Sequence, residues 1–189
     1  MGLMIIAAPE EEPVSLAAAK LHLRVDHDDE DALIRDCIAA ARQDAEHQLG
    51  RALCAQTLRL SLDRFPGACI ELPRPPLLAV RAVTYLDADG VRQTLDPADY
   101  RAITDELVGY VLPAYGASWP AVRAEPGAVQ ITYTAGWPEA SDVPESIKSW
   151  IKVRLGTLYK LRATVDSAAI NDAPRQAFDA LLDPYRVYR

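Results

Sequence analysis

Cysteine is scarce in this chain of 189 residues: Cys37, Cys54 and Cys69 are the whole supply. Their number is odd and no C-x-x-C spacing occurs, which argues against a disulfide framework and a thiolate metal site and points to a reducing, cytoplasmic setting. Histidine is as sparse, with His22, His27 and His47 only, none near a cysteine or serine at a telling spacing. Glycine is scattered in turns. There is no G-x-x-x-x-G-K, G-x-G-x-x-G, H-E-x-x-H or G-x-S-x-G, so the phosphate loop, the zinc-protease helix and the nucleophile elbow are missing. No apolar run approaches the ~20 residues of a membrane span. Met1–Ala8 is apolar but short and lacks a basic flank, so no signal peptide is expected. Catalytic residues, cofactors and metal ligands are therefore all read as none.

What is present is the balance of an ordinary globular protein, 50% hydrophobic and 25% charged residues. The length suggests one domain, or one domain with a large insertion. The net charge of −7 disfavours a broad nucleic-acid grip. It is unevenly spread: residues 15–50 hold four basic and eight acidic side chains, whereas residues 139–189 hold eight basic and seven acidic.

The strongest periodic signal runs from Asp28 to Leu49. Leu33, Ile34, Cys37, Ile38, Ala41, Ala45 and Leu49 recur at steps of three and four, an amphipathic helix with Arg35, Arg42 and Glu46 off the apolar arc. Asp28, Asp29, Glu30 and Asp31 crowd its expected first turn, where carboxylates suit the dipole, and Gly50 suits a left-handed cap. Before it, Ser15 is a good N-cap for a short helix through Leu23. After Arg51 the period becomes two. Strands are expected at Thr57–Asp63, Ile70–Leu72, Leu78–Leu86, Val91–Leu95, Tyr100–Ile103, Leu107–Leu112 and Val129–Thr134, with a hairpin turn at Asp87–Gly90. Asp142-x-x-Glu145 with Pro144 reads as a carboxylate capping box opening a third long helix to about Arg162. Its apolar face is Ile147, Trp150, Ile151, Leu155, Leu158 and Leu161. A small, polar loop at Ala163–Ala173 and a last short helix from Pro174 follow. Helices, strands, then helices define an α+β chain.

Two clusters invite a chemical reading. Asp26–Asp31 has alternate carboxylates like the start of a calcium loop, but Asp31 stands where the glycine belongs and Cys37 where the glutamate belongs. A helix start rich in acids is the simpler account, and likewise capping accounts for Asp142 with Glu145 as well as paired catalytic carboxylates would. Lys148, Lys152 and Lys160 share the polar side of the third helix, with no acid over residues 146–162. A solvated face explains them, and contact with phosphate or an acidic surface is the alternative. Arg154 falls inside the apolar arc, where it must snorkel or pair with a carboxylate.

The order of short motifs adds a resemblance. Pro13-Val14-Ser15-Leu16-x-x-x-Lys20-x-x-Leu23 leads to the acidic Asp26–Asp31 start, and Gly50-Arg51 closes the long helix. Leu72-Pro73-Arg74-Pro75-Pro76-Leu77, Thr132-Tyr133-Thr134-Ala135-Gly136 before Val143-Pro144, and Leu181-Leu182-x-Pro184-Tyr185-Arg186 follow. Nearly the whole chain thus resembles the head–tail connector (head-completion adaptor) proteins of long-tailed bacteriophages and prophages. The resemblance implies a non-enzymatic virion protein, assembled in the host bacterial cytoplasm as a ring of about a dozen copies. Its partners would be itself, the portal protein and a tail-side connector or tail protein, with no membrane. DNA would pass through the channel without sequence-specific binding. It also implies a small helical bundle as connector core, residues 15–54 and 136–189, after an N-terminal arm over 1–14. A β-rich insertion, 55–135, would sit between the second and third main helices. From the charge asymmetry, Asp28, Asp29, Glu30 and Asp31 of one subunit are expected to face Lys148, Lys152 or Lys160 of its neighbour, with Arg154 beside them. The competing readings are a DNA-binding module using Lys148, Lys152, Arg154 and Lys160 of the basic helix 146–162, and a metal-dependent enzyme built on Asp26–Asp31.

Overall fold

A computed structural model describes residues 2–105, 107–161 and 178–187. The loop expected at Ala163–Ala173 and the start of a last helix at Pro174 lie outside the described residues. The fold is mixed α+β, and the chain divides into two compact units, residues 1–10 with 55–138, and residues 11–54 with 139–189.

The first unit is built of antiparallel strands. β1 (Gly2–Ala7), β2 (Gln56–Leu62), β4 (Leu77–Leu86), β5 (Arg92–Thr94) and β8 (Val129–Ala135) form one sheet in the order β1-β2-β8-β4-β5. β3 (Ile70–Leu72), β6 (Tyr100–Thr104) and β7 (Gly109–Pro113) form a second in the order β3-β7-β6. The alternation in the sequence decides the faces. Leu58 and Leu60 of β2 are buried, as are Val129, Ile131 and Tyr133 of β8, while the residues between them are partly exposed. β8 is the central strand, pairing with β2 through Leu58–Tyr133 and Leu60–Ile131 and with β4 through Val83–Ile131. The Tyr133 hydroxyl donates to the Pro73 carbonyl at 2.7 Å, which satisfies the one polar atom of a fully buried ring. The three prolines at Pro73, Pro75 and Pro76 fall between β3 and β4, outside the ladders, since each lacks a donor. Between β4 and β5, Gly90 has φ +82°, and the Asp87 carboxylate accepts from the Asp89 and Val91 amides at 3.1 and 2.9 Å. The sequence reading assigned no strand to the expected arm over 1–14; β1 lies there, paired along β2 from Gly2–Ser61 to Ala7–Thr57.

The second unit holds α1 (Leu16–Leu23), α2 (Asp31–Leu49) and α3 (Glu145–Leu161), each in contact with the other two. Ser15 caps α1, its hydroxyl accepting from the Ala18 amide at 3.2 Å. Arg24 ends that helix in the left-handed region at φ 59°, and Gly50 ends α2 there at φ 68°. Ile34, Ile38, Ala41, Ala45 and Leu49 of α2 are buried, with Ile147, Trp150, Ile151 and Leu155 of α3.

Two expectations are corrected here. α2 begins at Asp31, not Asp28, and Glu30 at its N-cap makes no side-chain capping bond, so Asp31 is the acid of the first turn. Asp142 does not cap α3: it ends a short 3₁₀ turn, Ala140–Asp142, where its carboxylate accepts from the Glu139 amide at 3.3 Å.

Candidate functional site

The acidic segment is organised by a cation supplied from eight residues upstream. Lys20, on the last turn of α1, reaches Asp28 at 2.5 Å and Asp31 at 2.8 Å. Its ammonium stands between the carboxylates that a metal ion would have to bridge. Each partner favours the other's charged form: the bond to Asp28 raises the Lys20 pKa, and the bond from Lys20 lowers that of Asp28. Asp31 also lies 3.8 Å from Arg35, and the Tyr159 hydroxyl donates to the Glu30 carboxylate. Asp28 and Asp29 keep 90% and 95% of their side-chain surface exposed, which leaves them presentable to another molecule. Among the described residues no group of three or more His, Cys, Asp and Glu side chains is arranged to hold a metal ion.

The basic helix is less free than its sequence suggests. Lys148 donates to Glu145 at 3.1 Å and to the Ser141 carbonyl at 3.0 Å, with only 12% of its side chain exposed. Arg154 resolves its place in the apolar arc by pairing: its Nε lies 2.6 Å from Asp44 Oδ2. Lys152 is half-buried and Lys160 exposed. Two of the four cations thus already face carboxylates of their own chain, and they form no uncompensated phosphate-binding row.

The strongest polar constellation was not expected. Arg42 and Glu46 lie off the apolar arc by hydropathy, yet both are buried, at 3% and 1% exposure. Arg42 Nη1 donates to Glu46 at 3.0 Å and its Nε to Glu12 at 2.8 Å. The second Glu46 oxygen accepts from the Leu53 amide at 2.9 Å. Burial alone would lower the Arg42 pKa, and the Glu12 bond with the Glu46 charge outweighs it, so the net shift is upward. The opposite charges at i and i+4 were the available signal; the Glu12 and Leu53 partners, distant in sequence, were not legible. Each group of this network is held by the chain itself, which marks it as structural. A hollow of about 600 Å³ in this unit is lined by Val14, Leu16, Ile38, Ala39 and Ala140 together with Glu11, Glu12, Ser15, Arg35 and Asp36.

Residues 13–88 match the model of the phage gp6-like head-tail connector protein family. This agrees, over those residues, with the resemblance to head–tail connectors read from the sequence. The chain is also similar, along all of its length and 97% of theirs, to chains in three solved structures. One is the neck of an empty gene transfer agent particle computed with C6 symmetry, at 26% identity and TM-score 0.81. The second is the virion of the native gene transfer agent particle, at 27% identity and TM-score 0.81. The third is the neck of the native particle computed with C12 symmetry, at 26% identity and TM-score 0.75. No curated protein matches the chain. Neither the family's description nor the neck structures name an enzyme, in agreement with the sequence reading.

Proposed function

We propose that this protein is a head–tail connector: copies form a ring between portal and tail that extends the DNA channel of a phage-like particle. The observation that carries this reading is the whole-length likeness to chains of particle necks, joined to the connector family match over residues 13–88. On this reading the protein resides in the virion and meets its own copies, the portal protein and a tail-side protein. The helical unit is the connector core, and the β-rich unit is an insertion between α2 and α3. An acidic chain suits a channel through which DNA must slide, because a row of free cations would release counterions, bind phosphate and retard it. The DNA-binding alternative gains nothing from Lys148 and Arg154, which are already held by Glu145 and Asp44.

The ring contact we propose is heterologous, with Asp28–Asp31 of one subunit facing Lys148, Lys152 or Lys160 of the next. Its support is the exposure of Asp28, Asp29 and Lys160 and the need of a ring for two different patches per copy. The experiment is addition of the purified chain to portal-bearing capsids that lack it. Retention on the capsids in rings of about a dozen copies is expected. Recovery of capsids without the chain would overturn the reading.

A further inference from the structure

We infer that β1 is an assembly strand, whose free edge is completed by a neighbouring copy of this chain. The inference rests on the ring reading above and adds a surface that the charge argument does not reach. In the five-stranded sheet β1 is an outer strand, paired on one side with β2 and unpaired on the other among the described residues. Leu3, Met4, Ile5 and Ile6 are 39%, 62%, 46% and 42% exposed, so large apolar side chains stand on both faces of the strand.

An apolar edge of this kind is a template for another chain, and monomeric proteins guard against it with lysine, proline, very short strands or bulges. Gly2–Ala7 contains no charge and no proline. Its one irregularity, at Ile6 between the Ile5–Leu58 and Ala7–Thr57 pairs, leaves Gly2–Ile5 regular. The other outer strands are guarded: β5 and β3 have three residues each, with Arg92 in β5 and Glu71 in β3, and β6 carries Arg101. β1 alone among them is left open.

The symmetry of the similar neck structures selects the occupant. A ring repeats one contact in which each copy gives one patch and receives a different one. Strand addition is directional, and it covers both faces of the added strand as well as its backbone donors and acceptors. Pairing of β1 with β1 would instead close a two-fold dimer, so the acceptor is a different element of the neighbour.

The test compares backbone hydrogen exchange in the full chain, dilute and free, with exchange in rings assembled on portal-bearing capsids that lack it. Peptides covering Gly2–Ala7 are expected to slow by at least about tenfold on ring formation. Met4→Lys with Ile5→Lys should melt as the parent does, since both sites are exposed, yet enter rings at least about tenfold less well, while Met4→Leu enters normally. Unchanged β1 exchange in rings, or normal entry of the double lysine variant, would each overturn the inference and leave the connector reading standing. Failure of the parent chain to form rings on the capsids would instead remove the connector reading, and this inference with it.

Discussion

Arg42 and Glu46 show how a charge can be a core residue. Neither is tolerable alone in the interior; together with Glu12 and the Leu53 amide each carboxylate and guanidinium group has a partner. Removing Arg42 leaves Glu46 a buried carboxylate without its neutralising cation. Arg42→Met is therefore expected to destabilise the chain by about 3–5 kcal/mol, read as a lower urea midpoint; a loss below about 1 kcal/mol would show the network to be solvated. Wheel reasoning placed both residues outside the apolar arc because it ranks side chains singly, whereas burial was decided by pairing with a residue thirty positions away. Cys54 is legible in the same physical way. Burial, ahead of the nearby Glu12 charge, pushes its thiol from 9.0 up to about 12. The nucleophile is the thiolate, so at pH 8 a thiol reagent should modify exposed Cys69 rapidly and buried Cys54 only on unfolding. Because the folded state keeps the proton that the unfolded state loses, the Cys54 contribution to stability is fully present below pH 9.0 and is lost as pH rises towards about 12. Denaturation of Cys54→Ala beside the parent across that window should show the smaller slope in the variant.

The helices were legible from periodicity because their information is local. Ser15, Gly50 and the 3–4 spacing of Ile34, Ile38, Ala41 and Ala45 all act within a turn or two of chain. The start of α2 was misplaced by three residues for a physical reason. Asp28 looked like a first-turn acid, but Lys20 on the preceding helix competes for it and holds it outside. The strands were legible wherever alternation was strong, as in Leu58-Arg59-Leu60 and Val129-Gln130-Ile131. β1 was not assigned, because six uncharged residues carry no period and their partners lie fifty or more residues on. α1 carries a test of its own ends. Arg24 holds a left-handed conformation at φ 59° that costs a side chain with a Cβ about 1 kcal/mol. Arg24→Gly should therefore stabilise the chain by about 0.5–1 kcal/mol, while Ser15→Ala, which strips the cap from the Ala18 amide, should cost about 1 kcal/mol. Thermal melts of the two variants should move in opposite directions. A common direction would mean that α1 is fixed by packing and not by its ends.

At the scale of the whole molecule the question is what sets the register of copies around a ring. Surface ion pairs contribute only about 0–1 kcal/mol each, so the acidic and basic patches are suited to orienting neighbours rather than to holding them. Their occupancy within one subunit sharpens the test. Lys148 is engaged by Glu145 and Ser141, and Asp28 and Asp31 by Lys20, although Asp28 stays 90% exposed, whereas Asp29 and Lys160 are exposed. Reversal of Lys148 and Lys152 to Glu should weaken ring formation on portal-bearing capsids, most strongly at low salt, where screening is least. Reversal of Asp28 and Asp29 to Lys in the same chain should restore it, because the two patches meet in trans and only their product of signs matters. Mixing the two singly reversed chains supplies the sharper check: one then carries two negative patches and the other two positive ones, so alternating copies satisfy every contact, and mixed rings should form where neither chain alone does. Equal ring yield for the parent and the lysine-reversed chain at low salt would remove the charged patches from the interface and leave ring closure to apolar contacts.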